Sequence, residues 1–239
     1  MKRRAVGLVL VAAMLSAMPG PATPLPQVSA TPTKTIVLSV NGPATSTVLC
    51  NLLVLPSSVA GEEATFIIQA RDASNHKRTA GGDTFVARLA GPETVSVSIT
   101  DRRDGTYAGR YTALRSGPHT LSVMRGNLNI LGSPFTVVVG SGITSASLSS
   151  LLVLPTVAAG GTGTFLIQAR NQFGVKRDTG GDVFVARLSG PATPPVSVAD
   201  QHDGTYRATF LVSGAGTYTV DVLFGGLPIS GSPFRFEAR

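Results

Sequence analysis

The chain lacks several features that would point to a familiar functional class. It has one cysteine, Cys50, and no tryptophan among its 239 residues, so no intrachain disulfide can form and stability must come from packing. Cys50 is expected to pack as a small apolar side chain, the alternative being an intermolecular disulfide or a reactive thiol. No window shows a 3.6-residue apolar period, so helices should be rare.

Clusters of chemically active side chains are also missing. The three histidines, His76, His119 and His202, occupy unlike positions, no Ser or Cys nucleophile lies near a plausible base, and no glycine-rich loop joins a strand to a helix. We therefore expect no enzymatic activity and no cofactor. The formal charge is +7, of which three charges lie at positions 2–4. The remaining basic residues are scattered through strands and turns without a stripe or aromatic interleaving, which argues against a nucleic-acid partner.

The N-terminal segment has the pattern of a secretory leader. Three basic residues at positions 2–4 precede an apolar run over residues 5–18. This run is shorter than the roughly 20 residues that a membrane-spanning helix needs. Residues 1–30 are predicted to be a signal peptide whose cleavage site stays open, and no integral membrane span is expected. The alternatives are an uncleaved short anchor and an organelle transit peptide, because no acidic residue precedes Glu62.

The rest of the chain is a tandem repeat. The frame Asp-x-x-Asp-Gly-Thr-Tyr occurs at residues 101–107 and again at 200–206. Leu-Val-Leu-Pro, Phe-x-Ile-Gln-Ala-Arg, Gly-Gly-Asp and Gly-Ser-Pro-Phe recur at the same spacing of ~99 residues, which indicates whole domains. We expect a linker or lone strand over residues 31–46, repeat 1 over 47–140 and repeat 2 over 141–239.

Each copy shows the two-residue alternation of half-buried strands. In repeat 2, Phe165, Ile167 and Ala169 alternate with Leu166 and Gln168. Turn signals divide this copy into seven strands, at residues 151–154, 164–170, 183–188, 196–200, 205–212, 217–224 and 233–237. This pattern predicts an all-β fold of two tandem immunoglobulin-like sandwiches. The copies are expected to fold independently, joined by a flexible Gly140-Ser141-Gly142 segment.

The Asp-x-x-Asp-Gly-Thr-Tyr frame is interpreted as a tight hairpin. Asp and Gly tolerate positive φ angles, and the first Asp can accept backbone N–H bonds across the corner. A calcium site is the alternative, but two carboxylates per copy are fewer than a calcium loop supplies, so no metal is expected. Tyr218 is a candidate tyrosine corner, and His119 at the matching place predicts a weaker repeat 1. The turn residues are Asp101, Asp104, Gly105, Tyr107, Asp200, Asp203, Gly204 and Tyr206.

These landmarks together resemble the filamin-type repeat. The matching motifs are Gly-Gly-Asp-x-Phe, Gly190-Pro191, Val-x-Val-x-Asp-x-x-Asp-Gly-Thr-Tyr, a later Gly-x-Tyr-x-Val-x-Val and a terminal Gly-Ser-Pro-Phe. The resemblance covers both copies and leaves only the leader and one linker outside it. Pro194-Pro195 replaces Val95-Ser96 before the fourth strand, and the usual glycine near the first strand is missing. These departures concern the edge geometry rather than the fold.

The resemblance implies a non-enzymatic protein-interaction module. Filamins crosslink actin through a separate helical domain, and no helical segment is predicted here, so actin is expected to be an indirect partner at most. Filamin-like repeats also occur in secreted or surface proteins, some of them adhesive, and the leader favours that branch. The alternative is a cytoplasmic, cytoskeletal filamin-like fragment.

The resemblance also implies a binding mode. Filamin-type repeats capture a peptide as an added strand, and the strand after Gly-Gly-Asp, at residues 84–89 and 183–188, is expected to be a sheet edge with free N–H and C=O groups. Its apolar residues either face the peptide groove or fill the core while Arg187 blocks edge pairing. The candidate peptide-binding residues are Phe85, Ala87, Leu89, Phe184, Ala186 and Leu188.

Overall fold

A computed structural model of the chain describes residues 44–155 and 157–239. The predicted leader and most of the predicted linker lie outside the described residues. The described chain contains two 3-10 helices, Thr47–Leu49 and Ala146–Leu148, and no α-helix, and none of its helices is long and apolar enough to cross a membrane. Repeat 1 holds β1 Asn51–Val54, β2 Ser58–Val59, β3 Glu63–Gln69, β4 Val86–Ala90, β5 Thr94–Ser96, β6 Ser98–Asp101, β7 Thr106–Thr112, β8 Gly117–Arg125, β9 Leu128–Asn129 and β10 Phe135–Gly140. Repeat 2 holds β11 Ser150–Val153, β12 Thr162–Gln168, β13 Phe184–Ser189, β14 Ser197–Asp200, β15 Thr205–Leu211, β16 Gly216–Phe224, β17 Leu227–Pro228 and β18 Phe234–Ala238.

Each repeat is a sandwich of two sheets. In repeat 1 one sheet has the order β1-β3-β7-β6 and the other β2-β10-β8-β4-β5, with β9 paired to β8. In repeat 2 the first sheet is β11-β12-β15-β14, and in the second β16 pairs with β13, β17 and β18. The prediction of two tandem immunoglobulin-like sandwiches is confirmed. The predicted strands of repeat 2 agree with the observed ones to within about two residues at their ends.

A separate apolar core fills each sandwich, because alternate residues of the facing strands point inward. Phe66 and Phe165 lie at equivalent places in the two cores and are 0% and 2% exposed. Each core also buries one amide. The Nε2 atom of Gln168 donates to the carbonyl oxygens of Ala169 and Gly204, each at 3.0 Å. This contact fastens β12 to the Asp-Gly turn and explains the glutamine of the repeated Phe-x-Ile-Gln-Ala-Arg motif.

The two sandwiches contact one another directly, so the expectation of a flexible joint is wrong. Asn171 of repeat 2 is fully buried, and its side-chain amide donates to the carbonyl oxygen of Ala60 in repeat 1 at 2.7 Å. The same amide donates to the carbonyl oxygen of Ser141 in the joint at 3.1 Å. The Gly-Ser-Gly segment is therefore held between two packed domains, and its composition alone does not reveal this.

Candidate peptide-binding edge

The strands β4 and β13 carry the same four residues, Val-Ala-Arg-Leu, at 86–89 and 185–188. Each pairs along one side with the long central strand of its sheet, β4 with β8 and β13 with β16. The other side of β4 pairs with β5 over Arg88, Leu89 and Ala90, so the expected open edge of repeat 1 is closed over its second half. Within the described residues no strand pairs with the other side of β13. Only β13 of these two is an edge strand.

Two prolines explain this difference. β5 spans Thr94–Ser96, and the equivalent residues of repeat 2 are Thr193, Pro194 and Pro195. Proline has no backbone N–H, so it cannot donate a ladder hydrogen bond and is excluded from most positions in a paired strand. Residues 190–196 accordingly form no strand. The substitution noticed in the sequence therefore leaves the main chain of β13 unpaired on its outer side.

The six residues predicted to contact a peptide all face the core. Phe85 directly precedes β4, and the other five lie within β4 or β13. Each has at most 9% of its surface exposed: Phe85, Ala87, Leu89, Phe184, Ala186 and Leu188. Ser189 at the end of β13 is exposed. The outward side chains nearer the middle of the strand are Val185, which is 45% exposed, and the exposed Arg187. An incoming strand at this edge would contact the free main chain and these two side chains.

The aspartate of Gly-Gly-Asp anchors the start of β13. The Oδ2 atom of Asp182 accepts a hydrogen bond from Thr144 Oγ1 at 2.6 Å and lies 3.3 Å from Arg177 Nε. The backbone N–H of Asp182 donates to the hydroxyl oxygen of Tyr206 at 2.9 Å. Burial of this hydroxyl raises the pKa of Tyr206 to about 12. The cluster ties β13 to the first residues of repeat 2 and to the end of the Asp-Gly turn.

Repeat 1 contains the same cluster with one additional cation. Asp83 accepts from Thr45 Oγ1 at 2.6 Å, and its backbone N–H donates to the Tyr107 hydroxyl at 2.9 Å. Arg125 adds an ion pair to Asp83 at 2.8 Å, at the position that Phe224 occupies in repeat 2. In the sequence this aspartate stands out only as a landmark of the repeat. Its place directly before an apolar strand in both copies was the signal that could have identified it as an anchor.

The Asp-x-x-Asp-Gly turns support the same region. Asp200 accepts from the backbone N–H groups of Gly181 at 2.7 Å and His202 at 2.8 Å, and these bonds lower the pKa of its carboxyl. Asp203 accepts from the backbone N–H and the hydroxyl of Thr205, and these bonds also lower its pKa. Asp101 and Asp104 make the matching contacts in repeat 1.

The positive φ angles of these turns fall on His202 and Gly204, at 63° and 82°, rather than on Asp203. A side chain at Gly204 would also overlap the carbonyl oxygen of Arg177, as one at Gly105 would overlap that of Arg78. The glycine is therefore required by both its backbone conformation and a close contact. The aspartates are held as backbone acceptors, which gives the repeated frame a structural role.

The fold and the open edge define a tandem protein-interaction module of immunoglobulin-like domains. The profile of the Filamin/ABP280 repeat matches residues 32–136 and 137–235, and the chain belongs to this family. It is 30% identical to Filamin-C of Mus musculus over 190 residues, which cover 78% of this chain and 7% of that protein. It is 31% identical to the E3 ubiquitin-protein ligase TRIM71 of Gallus gallus over 137 residues, which cover 56% of this chain and 15% of that protein. The chain thus spans a small part of the length of these relatives.

Solved structures give the same architecture. The Escherichia coli adhesin FdeC superposes with a TM-score of 0.51 at 23% identity, covering 82% of this chain and 64% of that one. Invasin, a bacterial integrin-binding protein, superposes with a TM-score of 0.50 at 19% identity, covering 82% of this chain and 41% of that one. At these identities the likeness concerns the fold alone.

Proposed function

We propose that this chain is a non-enzymatic binding module that captures an extended protein segment as an added strand on β13 of repeat 2. One observation carries the proposal: among the described residues β13 has a free outer side along its whole length, while β5 closes the outer side of β4 at Arg88, Leu89 and Ala90. An added strand would supply the missing main-chain partners, which is the basis of affinity in strand addition.

The outward side chains of β13 indicate which segment would fit. Val185 offers an apolar contact, and the Arg187 side chain makes no hydrogen bond or ion pair with the described residues, although Asp221 lies opposite it in the ladder to β16. An acidic residue opposite Arg187 and a β-branched or aromatic residue beside Val185 would form favourable cross-strand pairs, each worth roughly 0.2–1 kcal/mol. The partner is therefore a protein with a short extended segment that carries an acidic residue two positions from an apolar one.

Repeat 1 supplies a probe for this site. The strand β5 pairs with Arg88, Leu89 and Ala90 of β4, and β13 carries Arg187, Leu188 and Ser189 at the equivalent positions. A synthetic peptide copying residues 92–98 with Ser96→Asp and Ser98→Val, Pro-Glu-Thr-Val-Asp-Val-Val, places an acidic residue opposite Arg187 and an apolar one opposite Val185 in the register of β5 and should therefore bind β13 of the full chain. We expect saturable changes in the backbone amide resonances of residues 184–189 and none in those of β4. A scrambled peptide of the same composition is the control.

A reciprocal exchange between the repeats tests whether the prolines control the edge. Replacing Pro194 by Val and Pro195 by Ser should let residues 193–195 pair with β13 and abolish peptide binding. Replacing Val95 by Pro and Ser96 by Pro should uncover β4 and create a second site. Persistent binding in the first variant, folded by circular dichroism, would rule out β13 as the site. Ala186→Asp is unsuitable for this purpose because Ala186 is buried.

We also propose that the module acts in the secretory pathway or at the cell surface, on the basis of the basic and apolar pattern of residues 1–30. The second candidate is a cytoplasmic filamin-like function, which the 30% identity to Filamin-C favours. Residues 1–60 fused to a reporter distinguish the two. Secretion with cleavage of the leader is the expected result, and an uncleaved cytosolic product would contradict it.

A further inference from the structure

The junction between the repeats is formed by residues that differ between the two otherwise matching copies. Repeat 2 contributes Asn171 and Asp178 to it, and repeat 1 has Asp72 and Thr79 at the equivalent positions. The loops that begin at Asp72 and Asn171 have the same pattern of hydrogen bonds. The residue differences at these positions are therefore not required by the fold of either domain. They coincide with the contacts between the domains.

Asn171 shows how a single change adds such a contact. Its Oδ1 atom accepts from two N–H groups of its own loop, at 3.0 and 3.1 Å, and the Oδ1 atom of Asp72 does the same in repeat 1, at 2.9 Å for both bonds. The Nδ2 atom of Asn171 has no counterpart in Asp72. It donates to the carbonyl oxygens of Ala60 and Ser141, at 2.7 and 3.1 Å. The amide therefore keeps the loop and adds two hydrogen bonds across the junction.

Asp178 makes the second polar contact. It accepts from the backbone N–H of Ser116 at 3.0 Å and from the hydroxyl of the same residue. Arg115 Nε lies 3.6 Å from its Oδ2 atom. The residues of repeat 2 that correspond to Arg115 and Ser116 are Gly214 and Ala215, which have no polar side chain. Asp178 is thus not repeated in repeat 1, and Arg115 and Ser116 are not repeated in repeat 2.

The apolar contacts between the repeats also have no equivalent at the matching positions of the other copy. Val175 of repeat 2 packs against the core of repeat 1, and a side chain at Gly61 would come within 2.7 Å of both Val175 and Phe173. The equivalent of Val175 in repeat 1 is the exposed His76. The equivalent of Gly61 in repeat 2 is Gly160, beside which nothing lies within 4 Å.

We propose that this junction makes the two repeats one cooperative folding unit and that it is specific to this pair of domains. At the equivalent positions repeat 1 has Thr79 and the buried Asp72, and repeat 2 has Gly214 and Ala215, so copies of the chain cannot meet end to end through the same side-chain contacts. The junction holds β13 in a constant position relative to repeat 1. This inference does not depend on the proposed peptide site.

Exchange of the differing residues provides the test in the full chain. The wild-type protein should show one thermal transition, with the amides of β3 and β12 losing protection from hydrogen exchange together. Asn171→Asp combined with Asp178→Thr gives repeat 2 the residues of repeat 1 and should split the transition into two, separated by about 4–8 °C. Asp72→Asn combined with Thr79→Asp makes the reverse exchange on the outer face and should leave a single transition.

A second pair of variants separates the junction from local folding. Gly61 and Gly160 both have positive φ angles, 91° and 80°, so alanine strains the two backbones similarly. Only Gly61→Ala also displaces Val175 and Phe173, and it should uncouple the repeats while Gly160→Ala does not. Two separate transitions in the wild-type protein would overturn the proposal. So would a single unchanged transition in both the Asn171/Asp178 and the Gly61 variants.

Discussion

Tyr218 donates its hydroxyl hydrogen to the carbonyl oxygen of Gly214 at 3.0 Å. The tyrosine corner indicated by the sequence is therefore present in repeat 2. His119 occupies the matching place in repeat 1, where it is 1% exposed and its Nε2 atom has no hydrogen-bond partner among the described residues. The Nδ1 atom of His119 lies 3.1 Å from the carbonyl oxygen of Gly117. Each repeat thus has a local hydrogen bond at this corner, and repeat 1 also buries an unpaired nitrogen.

This difference predicts opposite effects of two substitutions. Tyr218→Phe removes one buried hydrogen bond and should lower the free energy of unfolding by about 1 kcal/mol. His119→Tyr should raise it by a similar amount, because Gly91 lies beside His119 as Gly190 lies beside Tyr218 and leaves room for the larger ring. Urea denaturation of the full chain measures both. A destabilised His119→Tyr variant would show that the corner of repeat 1 cannot accept the phenol.

The aspartate clusters predict unequal costs for equivalent substitutions. Asp83→Ala removes the carboxylate partner of Arg125, whose side chain is 33% exposed, as well as the contact to Thr45, and a hydrogen bond to a charged group contributes roughly 1.5–3 kcal/mol. Asp182→Ala should cost less, because Phe224 replaces the additional arginine. In a chain that already carries Arg125→Phe, the loss in free energy of unfolding caused by Asp83→Ala should fall to that caused by Asp182→Ala. Equal costs in the unmodified background would show that Arg125 contributes nothing.

The strands, the cores and the Asp-Gly turns could be predicted because they depend on local alternation and on contacts within one copy. The sequence predicts an open edge in both repeats. The difference between β13 and β4 could not be predicted, since it depends on whether residues 193–195 pair, and Pro194-Pro195 is informative only once β5 is known to be a strand. The junction could not be predicted either. It depends on contacts between loops distant in sequence, such as the bond from Asn171 to Ala60, which lies 111 residues away.

The buried tyrosine of repeat 2 predicts a loss of stability at alkaline pH. Burial raises the pKa of Tyr206 from 10.0 to about 12, so above pH 10 the unfolded chain binds fewer protons than the folded one and stability falls. The contribution is fully present below pH 10 and is lost as the pH rises towards 12. Tyr206→Phe should reduce the slope of stability against pH in this range while lowering stability at pH 7. An unchanged slope would contradict the assignment.

Cys50 is predicted to be an unreactive thiol in the folded protein. It is 0% exposed, its Sγ atom donates to the carbonyl oxygen of Ser46 at 3.2 Å, and burial raises its pKa. Because nucleophilic attack requires the exposed thiolate, labelling by a thiol reagent should be slow in buffer and should accelerate with urea as the segment opens.

Ser149 provides a matched control for this thiol. It occupies the equivalent position of repeat 2, and its hydroxyl donates to the carbonyl oxygen of Ser145 at 2.7 Å. Cys50→Ser should therefore change the free energy of unfolding by less than about 1 kcal/mol, because a hydroxyl is accommodated at this site. Adding Ser149→Cys moves the only thiol to repeat 2, where it should again be protected in buffer. Rapid labelling of the native wild-type protein, or disulfide-linked dimers under mild oxidation, would show that Cys50 is accessible and would restore the alternative of an intermolecular bond.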